Sequence, residues 1–538
     1  METSTSNPAT NTLSYQENSL NRIALGDTLH RTARKYPDST VTIENGKRTS
    51  YAELDSASNQ FADYLLTSGL RSGAKVAMLC NNSTQFLIAA YGILKAGLVW
   101  VPINTMLAAS DVRYILEHAE ASTVVVDDQL LANPALRDLF KDIKLPVVAC
   151  TVGGAPDPVY PTLTACLQDR STALPQVLIH DRDLALIMYT SGTTGRQKGA
   201  MHSHLSVYSA LTSSIAEMGI QHSDIFSCVL PMFHCAQFSV AASCIVAGAA
   251  MLVQKGFDPT AVLDGIAKER VTMMFGLPLM YAALLHHPAR SQYDLSCLRL
   301  CLYAMAPMAK PLLMKLIAEM CPNFALGSGQ TEIFPMTMYF PPDQQLKRFG
   351  NYWGLPTPVN ELAIMDESGH LLEPGQVGEI VHRGANVMLG YYKDPDATAQ
   401  VRRYGWHHTG DLGKIDPDGQ LLFMDRMKDM IKTGGENVAS VKVEEVLLRH
   451  PAVANVAVVG VPHPHWIEGI VAFVMTKSGV EIHVDELLAH CREHLAGFEV
   501  PKHIGLLEKL PTTSTGKIQK HLLRSSHQTL FVKTQGEE

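Results

Sequence analysis

The feature that most constrains the fold of this sequence is an alternation between helical segments and short apolar runs. Residues 51–65 carry apolar side chains at helical spacing, and Lys75–Leu79 has the composition of a strand. Residues 84–96 indicate a second helix that ends at Gly97, and residues 98–102 indicate a second strand. Because strands that alternate with helices belong to parallel sheets covered by helices, we expect an α/β fold.

The rest of the chain divides into segments that differ in composition and in helix or strand pattern. Alternation resumes over residues 185–340, after a connection rich in Pro, Gly and Thr at 151–180, whereas residues 1–20 are typical of a loose tail. From residue 361, short strands broken by turns indicate a small β-rich unit, and from residue 438 helices and strands return for about 100 residues, the size of one small domain. The predicted fold class is α/β: a large N-terminal domain of stacked α/β sheets plus a small β-rich subdomain, followed by a small mobile α+β C-terminal domain.

Size and charge narrow the range of functions. A chain of 538 residues is too long for one small core, and 46% hydrophobic with 18% charged residues is a globular balance. The formal net charge of −8 disfavours a nucleic-acid partner, which needs a basic face. A phosphate could still be held by a few cations and backbone N–H groups.

The sequence predicts neither export nor a membrane span. Its ten cysteines include no C-x-x-C pair, which favours reduced thiols and a cytoplasmic location over a disulfide framework or a zinc site. Residues 1–21 do not resemble a signal peptide, and the final Gln-Gly-Glu-Glu is not a peroxisomal address. Residues 225–254 lack charge, but Pro231 and Gly248 interrupt them, so we expect a buried helix followed by a buried strand. Peripheral membrane contact is left open.

The strongest local signal is the segment Tyr-Thr-Ser-Gly-Thr-Thr-Gly-Arg-Gln-Lys-Gly at residues 189–199, which follows an apolar run. Its glycines let the backbone curl, so that N–H groups and hydroxyls can turn toward phosphate oxygens while Lys198 adds positive charge. The spacing does not fit a Walker A loop, and an ordinary solvated loop is the alternative.

Four further segments place polar residues beside glycine. They are Gly-Gln-Thr-Glu at 329–332, Trp-His-His-Thr-Gly-Asp-Leu at 406–412, Asp-Arg-Met-Lys-Asp-Met-Ile-Lys-Thr-Gly-Gly-Glu-Asn at 425–437 and Pro-Thr-Thr-Ser-Thr-Gly-Lys-Ile at 511–518. Thr331 offers a hydroxyl to a phosphate, and Glu332 is a hard oxygen ligand suited to Mg²⁺. Asp411 can accept hydrogen bonds from two vicinal hydroxyls. Any one of these segments could be a surface turn, but their order along one chain is far more specific.

Together these segments resemble the adenylate-forming superfamily of acyl-CoA synthetases, luciferases and peptide-synthetase adenylation domains, over about residues 25–525. The resemblance implies that a carboxylic acid reacts with ATP to an acyl-adenylate, and that the acyl group then passes to the thiol of coenzyme A. It implies ATP and coenzyme A as substrates and Mg²⁺ as the metal, with Glu332 as its ligand. The implied ATP-binding residues are Thr190, Ser191, Gly192, Thr193, Thr194, Gly195, Lys198, Gly329, Gln330, Asp411 and Arg426.

The resemblance also assigns residues to steps of the reaction. Lys517 matches the lysine that bridges the carboxylate and the α-phosphate during adenylation. Lys428 matches the hinge between a large domain of residues 1–427 and a small domain of residues 428–538. Gly434 and Gly435 match the loop beside the tunnel for the pantetheine arm. The implied catalytic residues are Lys517, Thr331, Glu332 and His234.

One position departs from the family pattern. The family usually has an aromatic residue just before Gly329, where it stacks on adenine, but this chain has Ser328. Stacking must therefore weaken or come from another ring, for which Tyr303 and Phe334 are candidates.

Three uncharged segments, at residues 233–242, 273–281 and 303–308, match the walls of the family's acyl pocket. A charged substrate tail would need a buried partner charge, so these walls favour an apolar acid. Methionine recurs in them and suits a flexible alkyl chain, although many such residues are ordinary core. The candidate pocket residues are His234, Cys235, Phe238, Phe275, Tyr303, Ala304 and Met305.

The preferred interpretation is a ligase that joins a medium- or long-chain fatty acid to coenzyme A and releases AMP and pyrophosphate. An aryl or cyclic carboxylate–CoA ligase is the first alternative, and an adenylation enzyme that loads an acyl carrier protein is the second. A luciferase-like oxidase or an inactive binding protein is disfavoured because the polar motif residues are intact. The expected partners are small molecules rather than nucleic acid, and the sequence leaves a homodimer open.

Overall fold

The computed structural model describes residues 14–150, 157, 159–190, 197–304, 308–348, 350–477, 479–512 and 518–531. The helices are α1 (Tyr15–Asn21), α2 (Leu25–Lys35), α3 (Tyr51–Thr67), α4 (Thr84–Lys95), α5 (Ala109–His118), α6 (Asp128–Leu131), α7 (Pro134–Ile143), α8 (Leu163–Leu167), α9 (His204–Met218), α10 (Cys235–Ala247), α11 (Pro259–Glu269), α12 (Pro278–Leu285), α13 (Lys310–Glu319), α14 (Pro395–Gln400), α15 (Ser440–Leu448), α16 (Val484–His494) and α17 (Lys520–Ser526).

Strands occur along the whole described chain. Up to residue 303 they are β1 (Thr40–Glu44), β2 (Lys47–Ser50), β3 (Lys75–Leu79), β4 (Val99–Pro102), β5 (Ala121–Asp127), β6 (Val147–Cys150), β7 (Leu184–Tyr189), β8 (Gly199–Ser203), β9 (Ile225–Cys228), β10 (Ala250–Val253), β11 (Met273–Gly276) and β12 (Leu300–Tyr303). The others are β13 (Phe324–Gln330), β14 (Ile333–Phe340), β15 (Tyr352–Pro356), β16 (Asn360–Met365), β17 (Gly378–Gly384), β18 (Gly390–Tyr391), β19 (Arg402–Arg403), β20 (Trp406–Ile415), β21 (Leu421–Arg426), β22 (Ile431–Thr433), β23 (Glu436–Val438), β24 (Val453–His463), β25 (Ile467–Thr476) and β26 (His503–Leu506).

Two large sheets build the N-terminal part. One has the strand order β18-β8-β7-β4-β3-β5-β6, with parallel pairing from β7 through β6. The other runs β16-β17-β20-β21-β15-β14-β13-β12-β11-β9-β10-β1-β2, with β19 paired to β20. The predicted parallel α/β arrangement is therefore confirmed, because β9 to β13 of this second sheet are also parallel neighbours.

Helix α10 lies between the two sheets. Gln237 donates from Nε2 to Sγ of Cys228 in β9 at 3.1 Å, whereas the ring of Phe238 is 4.5 Å from that of Trp100 in β4. One continuous hydrophobic core contains residues of both sheets and of this helix. The uncharged stretch at 225–254 is thus β9, α10 and β10, which confirms the expected buried helix and strand.

The C-terminal part has a sheet and a core of its own. Strands β23, β22, β25 and β24 pair in that order, and β26 joins β25. Helices α15 and α16 cover a cluster that includes Val443, Val458 and Leu487. The large N-terminal domain and the smaller C-terminal domain are therefore as predicted, while the boundary at residue 428 stays a prediction.

Two features differ from the sequence-based expectation. Residues predicted as part of a loose tail include α1, which begins with a capping box in which Glu17 N donates to Ser14 Oγ at 3.2 Å. The β-rich unit is also continuous with a large sheet, because β15 pairs with both β14 and β21. Among the described residues, the helices are too short or too polar for any of them to cross a bilayer.

Candidate active site

Thr331 and Glu332 form the tight turn between β13 and β14, where Gln330 pairs with Ile333. The backbone of this turn is held from two sides. His202 of β8 donates from Nε2 to the carbonyl oxygen of Thr331 at 2.7 Å, and Met388 N donates to the carbonyl oxygen of Glu332 at 2.9 Å. The turn therefore lies where the two large sheets meet.

His202 holds this turn as a neutral imidazole at pH 7. It is fully buried, and burial lowers its pKa to about 4. The proton on Nε2 is then the one donated to Thr331, while Nδ1 lies 3.5 Å from Ser206 Oγ. The result is a fixed turn that brings no positive charge next to the Thr331 hydroxyl.

Three residues of the predicted nucleotide site meet directly. Gln330 donates from Nε2 to Oδ2 of Asp411 at 2.9 Å and to the carbonyl oxygen of Thr409 at 3.2 Å. Arg426 pairs with Asp411 across β20 and β21, with Nε 3.3 Å from Oδ1. The Asp411 carboxylate is thus oriented by one amide and one guanidinium. A buried carboxylate of this kind can accept hydrogen bonds from the two hydroxyls of a ribose.

The predicted phosphate loop spans the hairpin between β7 and β8. Thr190 N donates to the carbonyl oxygen of Lys198 at 2.9 Å, so the two ends of the loop are closed together. Lys198 Nζ lies 5.1 Å from the centre of the Tyr391 ring. The other loop residues predicted to bind ATP lie outside the described residues, namely Ser191, Gly192, Thr193, Thr194 and Gly195.

The N-terminus of α10 approaches the same turn from the apolar side. His234 is the N-cap residue, and Cys235 is the first residue of the helix. Cys235 Sγ lies 3.7 Å from Oγ1 of Thr331. Burial raises the pKa of Cys235 to about 11 and lowers that of His234 to about 4, so both side chains are neutral at pH 7.

The other predicted pocket residues do not share one wall. Phe275 pairs with Leu302, and Gly276 with Tyr303, across β11 and β12, so Phe275 and Tyr303 point to opposite faces of the sheet. Tyr303 donates its hydroxyl to Oε1 of Gln345 at 2.8 Å. Ala304 directly follows β12 and is buried, and Met305 lies outside the described residues.

Neither candidate ring for adenine stacking presents an exposed face. Phe334 is fully buried, with its ring centre 5.3 Å from that of His202. Tyr303 is also buried. At the position that differs from the family pattern, Ser328 pairs with Met338 across β13 and β14. The carbonyl oxygen of Ser328 accepts from the Thr337 hydroxyl at 3.0 Å.

The predicted hinge lies between β21 and β22. Lys428 is exposed in the turn that links these strands, and Met427 N donates to the carbonyl oxygen of Gly410 at 2.9 Å. On the C-terminal side, Arg524 of α17 lies 3.3 Å from Asp429, measured from Nη2 to Oδ1. The turn therefore contacts both domains.

Gly434 and Gly435 form the tip of the hairpin between β22 and β23. Both have positive φ angles, of 60° and 87°, as required at the two central positions of a tight hairpin turn. A Cβ atom at Gly434 would lie 2.8 Å from Cε3 of Trp466, whereas one at Gly435 would meet nothing within 4 Å. Turn geometry thus accounts for both glycines, and the space beside Gly435 is open.

Lys517 lies outside the described residues, but both ends of its loop are described. Thr512 and Ile518 form an isolated β-bridge, and Gln519 N donates to the carbonyl oxygen of Pro511 at 2.8 Å. Lys520, at the start of α17, is half-buried and pairs with Glu444 of α15, with Nζ 2.7 Å from Oε1. The described residues on both sides of Lys517 are therefore held together, and those that follow it are anchored to α15.

Sequence reasoning missed two residues that shape the turn. They are His202 and Tyr391, whose hydroxyl donates to Oε1 of Glu332 at 2.8 Å. The only local signal was an aromatic pair after Gly390, and nothing in it points to Glu332. Among the described residues, no group of three or more His, Cys, Asp or Glu side chains is placed to hold a metal ion.

Comparison with known proteins identifies the family of the chain. The sequence profile described as AMP-binding enzyme matches residues 29–392, and that described as AMP-binding enzyme C-terminal domain matches residues 442–517. The chain is 35% identical over 501 residues to a feruloyl-CoA synthase of an Amycolatopsis species, covering 93% of this chain and 98% of that protein. It is 32% identical over 480 residues to a long-chain-fatty-acid–CoA ligase of Mycobacterium tuberculosis, covering 89% and 93%.

A solved structure extends the likeness to the whole fold. ATP-bound MatB from Rhodopseudomonas palustris superposes with a TM-score of 0.85 at 29% identity, covering 94% of this chain and 99% of that chain. The predicted family and fold class are therefore confirmed. This chain belongs to the AMP-binding enzymes, within which it is an acid–thiol ligase of the acyl-CoA synthetase type.

Proposed function

We propose that this enzyme joins an apolar carboxylic acid to coenzyme A in two steps at one site. In the first step a carboxylate oxygen attacks the α-phosphorus of ATP, and pyrophosphate leaves. In the second step the thiol sulfur attacks the acyl carbon, the bond to AMP breaks, and the thiol proton is lost. Adenylation is needed because a free carboxylate would otherwise have to expel oxide.

The observation that carries this proposal is that the Thr331 turn has a polar side and an apolar side. On one side Gln330 contacts the Asp411 carboxylate, which is suited to a ribose. On the other side Thr331 Oγ1 is 3.7 Å from Cys235 at the start of the uncharged helix α10. A carboxylate at the mouth of an apolar pocket would thus lie next to the α-phosphate of a nucleotide bound beside Asp411.

The residues of the turn also fit a magnesium ion. Oε1 of Glu332 accepts from Tyr391, and within the described part of the chain Oε2 takes part in no hydrogen bond. Mg²⁺ often binds through one or two carboxylates together with substrate phosphates, so a single carboxylate beside a phosphate loop is a sufficient protein contribution. When bound, the ion would offset the negative charge of the phosphates during attack.

We assign the remaining roles from charge and position. Arg426 pairs with Asp411, and Lys198 lies beside the Tyr391 ring, so both cations are proposed to contact the nucleotide. Lys517 is proposed to join them during adenylation. The His234 imidazole is neutral at pH 7 and makes no hydrogen bond to other described residues, so it is suited to orient an acyl or thiol group rather than to supply charge. Gly435 is proposed to border the path of the thiol arm, since the space beside it is open.

For the acid, we propose a medium- or long-chain fatty acid. Helix α10 carries no charged residue from Cys235 to Ala247, and Met273 and Met274 of β11 are buried. The relative from Mycobacterium tuberculosis is named for long-chain fatty acids. An aryl acid is the second candidate, because the buried rings of Phe238 in α10 and Trp100 in β4 pack together, with centres 4.5 Å apart, and another relative is named for feruloyl-CoA.

The test is acid-dependent AMP release with free coenzyme A, with mass detection of the thioester, across acetate, octanoate, palmitate, benzoate, coumarate and ferulate. Preferred turnover of octanoate or palmitate would support the fatty acid proposal. Preferred turnover of coumarate or ferulate would overturn it in favour of an aryl acid. Adenylate without any thioester would instead make a carrier protein the acceptor.

A further inference from the structure

Tyr391 links the two sheets that meet at the active site. It ends the short strand β18, where it pairs with Ala200 of β8 on the seven-stranded sheet. Its hydroxyl donates to Oε1 of Glu332, which belongs to the turn between β13 and β14 of the other sheet. One side chain thus connects the strand that follows the phosphate loop with the carboxylate proposed to bind Mg²⁺.

The same ring also contacts the cation of the phosphate loop. Lys198 Nζ lies 5.1 Å from the centre of the Tyr391 ring, within the range of a cation–π interaction. Tyr391 therefore lies between the positive Lys198 and the negative Glu332, with its ring toward the first and its hydroxyl bonded to the second. These two charged groups are the ones that would face the phosphates of a bound nucleotide.

The backbone around Tyr391 is held without help from its hydroxyl. Asn386 exchanges two hydrogen bonds of 2.9 Å with the backbone of Phe334, and Met388 N bonds the carbonyl oxygen of Glu332. Leu389 N and Tyr392 N bond carbonyl oxygens of β8 and anchor the other side. Loss of the Tyr391 hydroxyl alone should therefore leave the fold intact.

The hydroxyl also restricts the carboxylate that it contacts. A hydrogen bond to an ionised carboxylate is stronger than one between neutral groups, and it holds the carboxylate in one orientation. Because an ionised carboxylate oxygen can only accept, the Tyr391 hydroxyl is the donor of this bond. Oε1 of Glu332 is thereby engaged, whereas Oε2 takes part in no hydrogen bond with other described residues and is available to a metal ion.

We propose that Tyr391 is a positioning residue that fixes the Glu332 carboxylate for the Mg²⁺ of the bound nucleotide and holds it at a set distance from Lys198. This inference rests on the proposed function, in which Glu332 is the metal ligand. Tyr391 would touch neither substrate nor metal, but it would orient the Glu332 carboxylate that binds the ion.

The test compares Tyr391→Phe with Tyr392→Phe. The first variant keeps the ring and removes the bond to Glu332, whereas the second removes a hydroxyl that bonds Glu120 at the exposed surface at 2.8 Å. Binding of α,β-methylene-ATP is measured by calorimetry over a series of Mg²⁺ concentrations, and thermal stability is measured alongside. A hydrogen bond to a charged group corresponds to about tenfold in an equilibrium constant, so Tyr391→Phe should raise the half-saturating Mg²⁺ concentration about tenfold. Tyr392→Phe should leave it unchanged.

A second variant separates the ring from the hydroxyl. Tyr391→Leu should also weaken nucleotide binding at saturating Mg²⁺, because the contact with Lys198 is lost. Equal binding by the Leu and Phe variants at saturating Mg²⁺ would overturn the role of the ring.

Glu332→Gln distinguishes this inference from the proposed function. If Glu332→Gln raises the Mg²⁺ requirement and Tyr391→Phe does not, the positioning role is wrong and the metal ligand stands. If Glu332→Gln has no effect on the Mg²⁺ requirement, the metal assignment itself is wrong. A fall in melting temperature in Tyr391→Phe, with nucleotide binding reduced equally at every Mg²⁺ concentration, would overturn positioning in favour of a structural role.

Discussion

At the scale of single residues, Lys517 has the most specific proposed role. During adenylation two anions approach each other, and an ammonium placed between them offsets the repulsion as charge develops. Lys517→Ala should therefore lower the rate of adenylate formation by about 100-fold or more. Formation of thioester from supplied acyl-AMP should be largely retained. Pyrophosphate release measures the adenylation half-reaction, and thioester formation from acyl-AMP, measured separately, checks the second half-reaction.

The matched control for Lys517 is Lys509→Ala, which removes an exposed lysine from the same domain. Both half-reactions should proceed normally in that variant. Equal loss of both half-reactions in Lys517→Ala would contradict the assigned role.

Single residues of the site could be predicted from sequence where their role depends on a local motif. Gln330, Asp411 and Arg426 were each identified from such a motif, and the structure joins them through hydrogen bonds and an ion pair. Tyr391 could not be predicted in the same way. Its partner Glu332 is 59 residues away in the chain, and long-range backbone contacts with β8 and with the Thr331–Glu332 turn bring the two together.

At the scale of elements, the glycine hairpin between β22 and β23 gives the next prediction. Asn tolerates positive φ angles better than other side chains, and a side chain at Gly435 would enter open space. Gly435→Asn should therefore preserve the turn. It should slow thioester formation about tenfold or more by displacing the thiol arm, and adenylation should be unaffected. Single-turnover assays of each half-reaction provide the measurement.

Gly479→Asn is the matched control for the hairpin. Gly479 also has a positive φ angle, of 74°, and a Cβ atom there would meet nothing within 4 Å. Both half-reactions should be unchanged in this variant. Normal thioester formation in Gly435→Asn would count against a thiol path beside this turn.

Elements were predictable where a single local pattern determines them. The helix at Tyr51–Thr67 begins at a capping box, with Glu53 N donating to Ser50 Oγ at 3.2 Å, and its apolar spacing was visible in the sequence. Helix α1 also begins with a capping box, but it was missed because its seven residues are mostly polar and distant contacts support it. Asn18 donates to the carbonyl oxygen of Ile179, which is 161 residues away. The continuity of the β-rich unit with a large sheet likewise depends on the pairing of β15, which has no local signature.

At the scale of the whole molecule, buried neutral histidines predict how stability depends on pH. Burial lowers the pKa values of His202, His204, His234 and His382 to about 4, and that of His407 to about 3. In the unfolded chain the same groups take up protons near pH 6.5. The unfolded state therefore binds more protons between pH 4 and 6.5, and the free energy of unfolding should fall as pH falls through this window.

Each such histidine should remove about 1 kcal/mol of stability between pH 7.5 and pH 5.5. Denaturant titrations at these two pH values measure the change. His382→Leu should reduce the pH dependence, whereas His370→Asn, which removes an exposed side chain, should not. Stability that is independent of pH over this interval would show that the buried histidines accept protons without unfolding.

The contact between Trp466 and Gly434 has an optical consequence. The chain has four tryptophans, and Trp466 is the only one after residue 428. It is 45% exposed, whereas Trp100 and Trp406 are buried and Trp353 stacks on Phe423 with ring centres 4.3 Å apart. Since the emission wavelength of an indole follows the polarity around it, the solvent-exposed component of the fluorescence comes from the C-terminal domain. The enzyme therefore carries an intrinsic spectroscopic reporter next to the proposed thiol path, and it needs no attached dye.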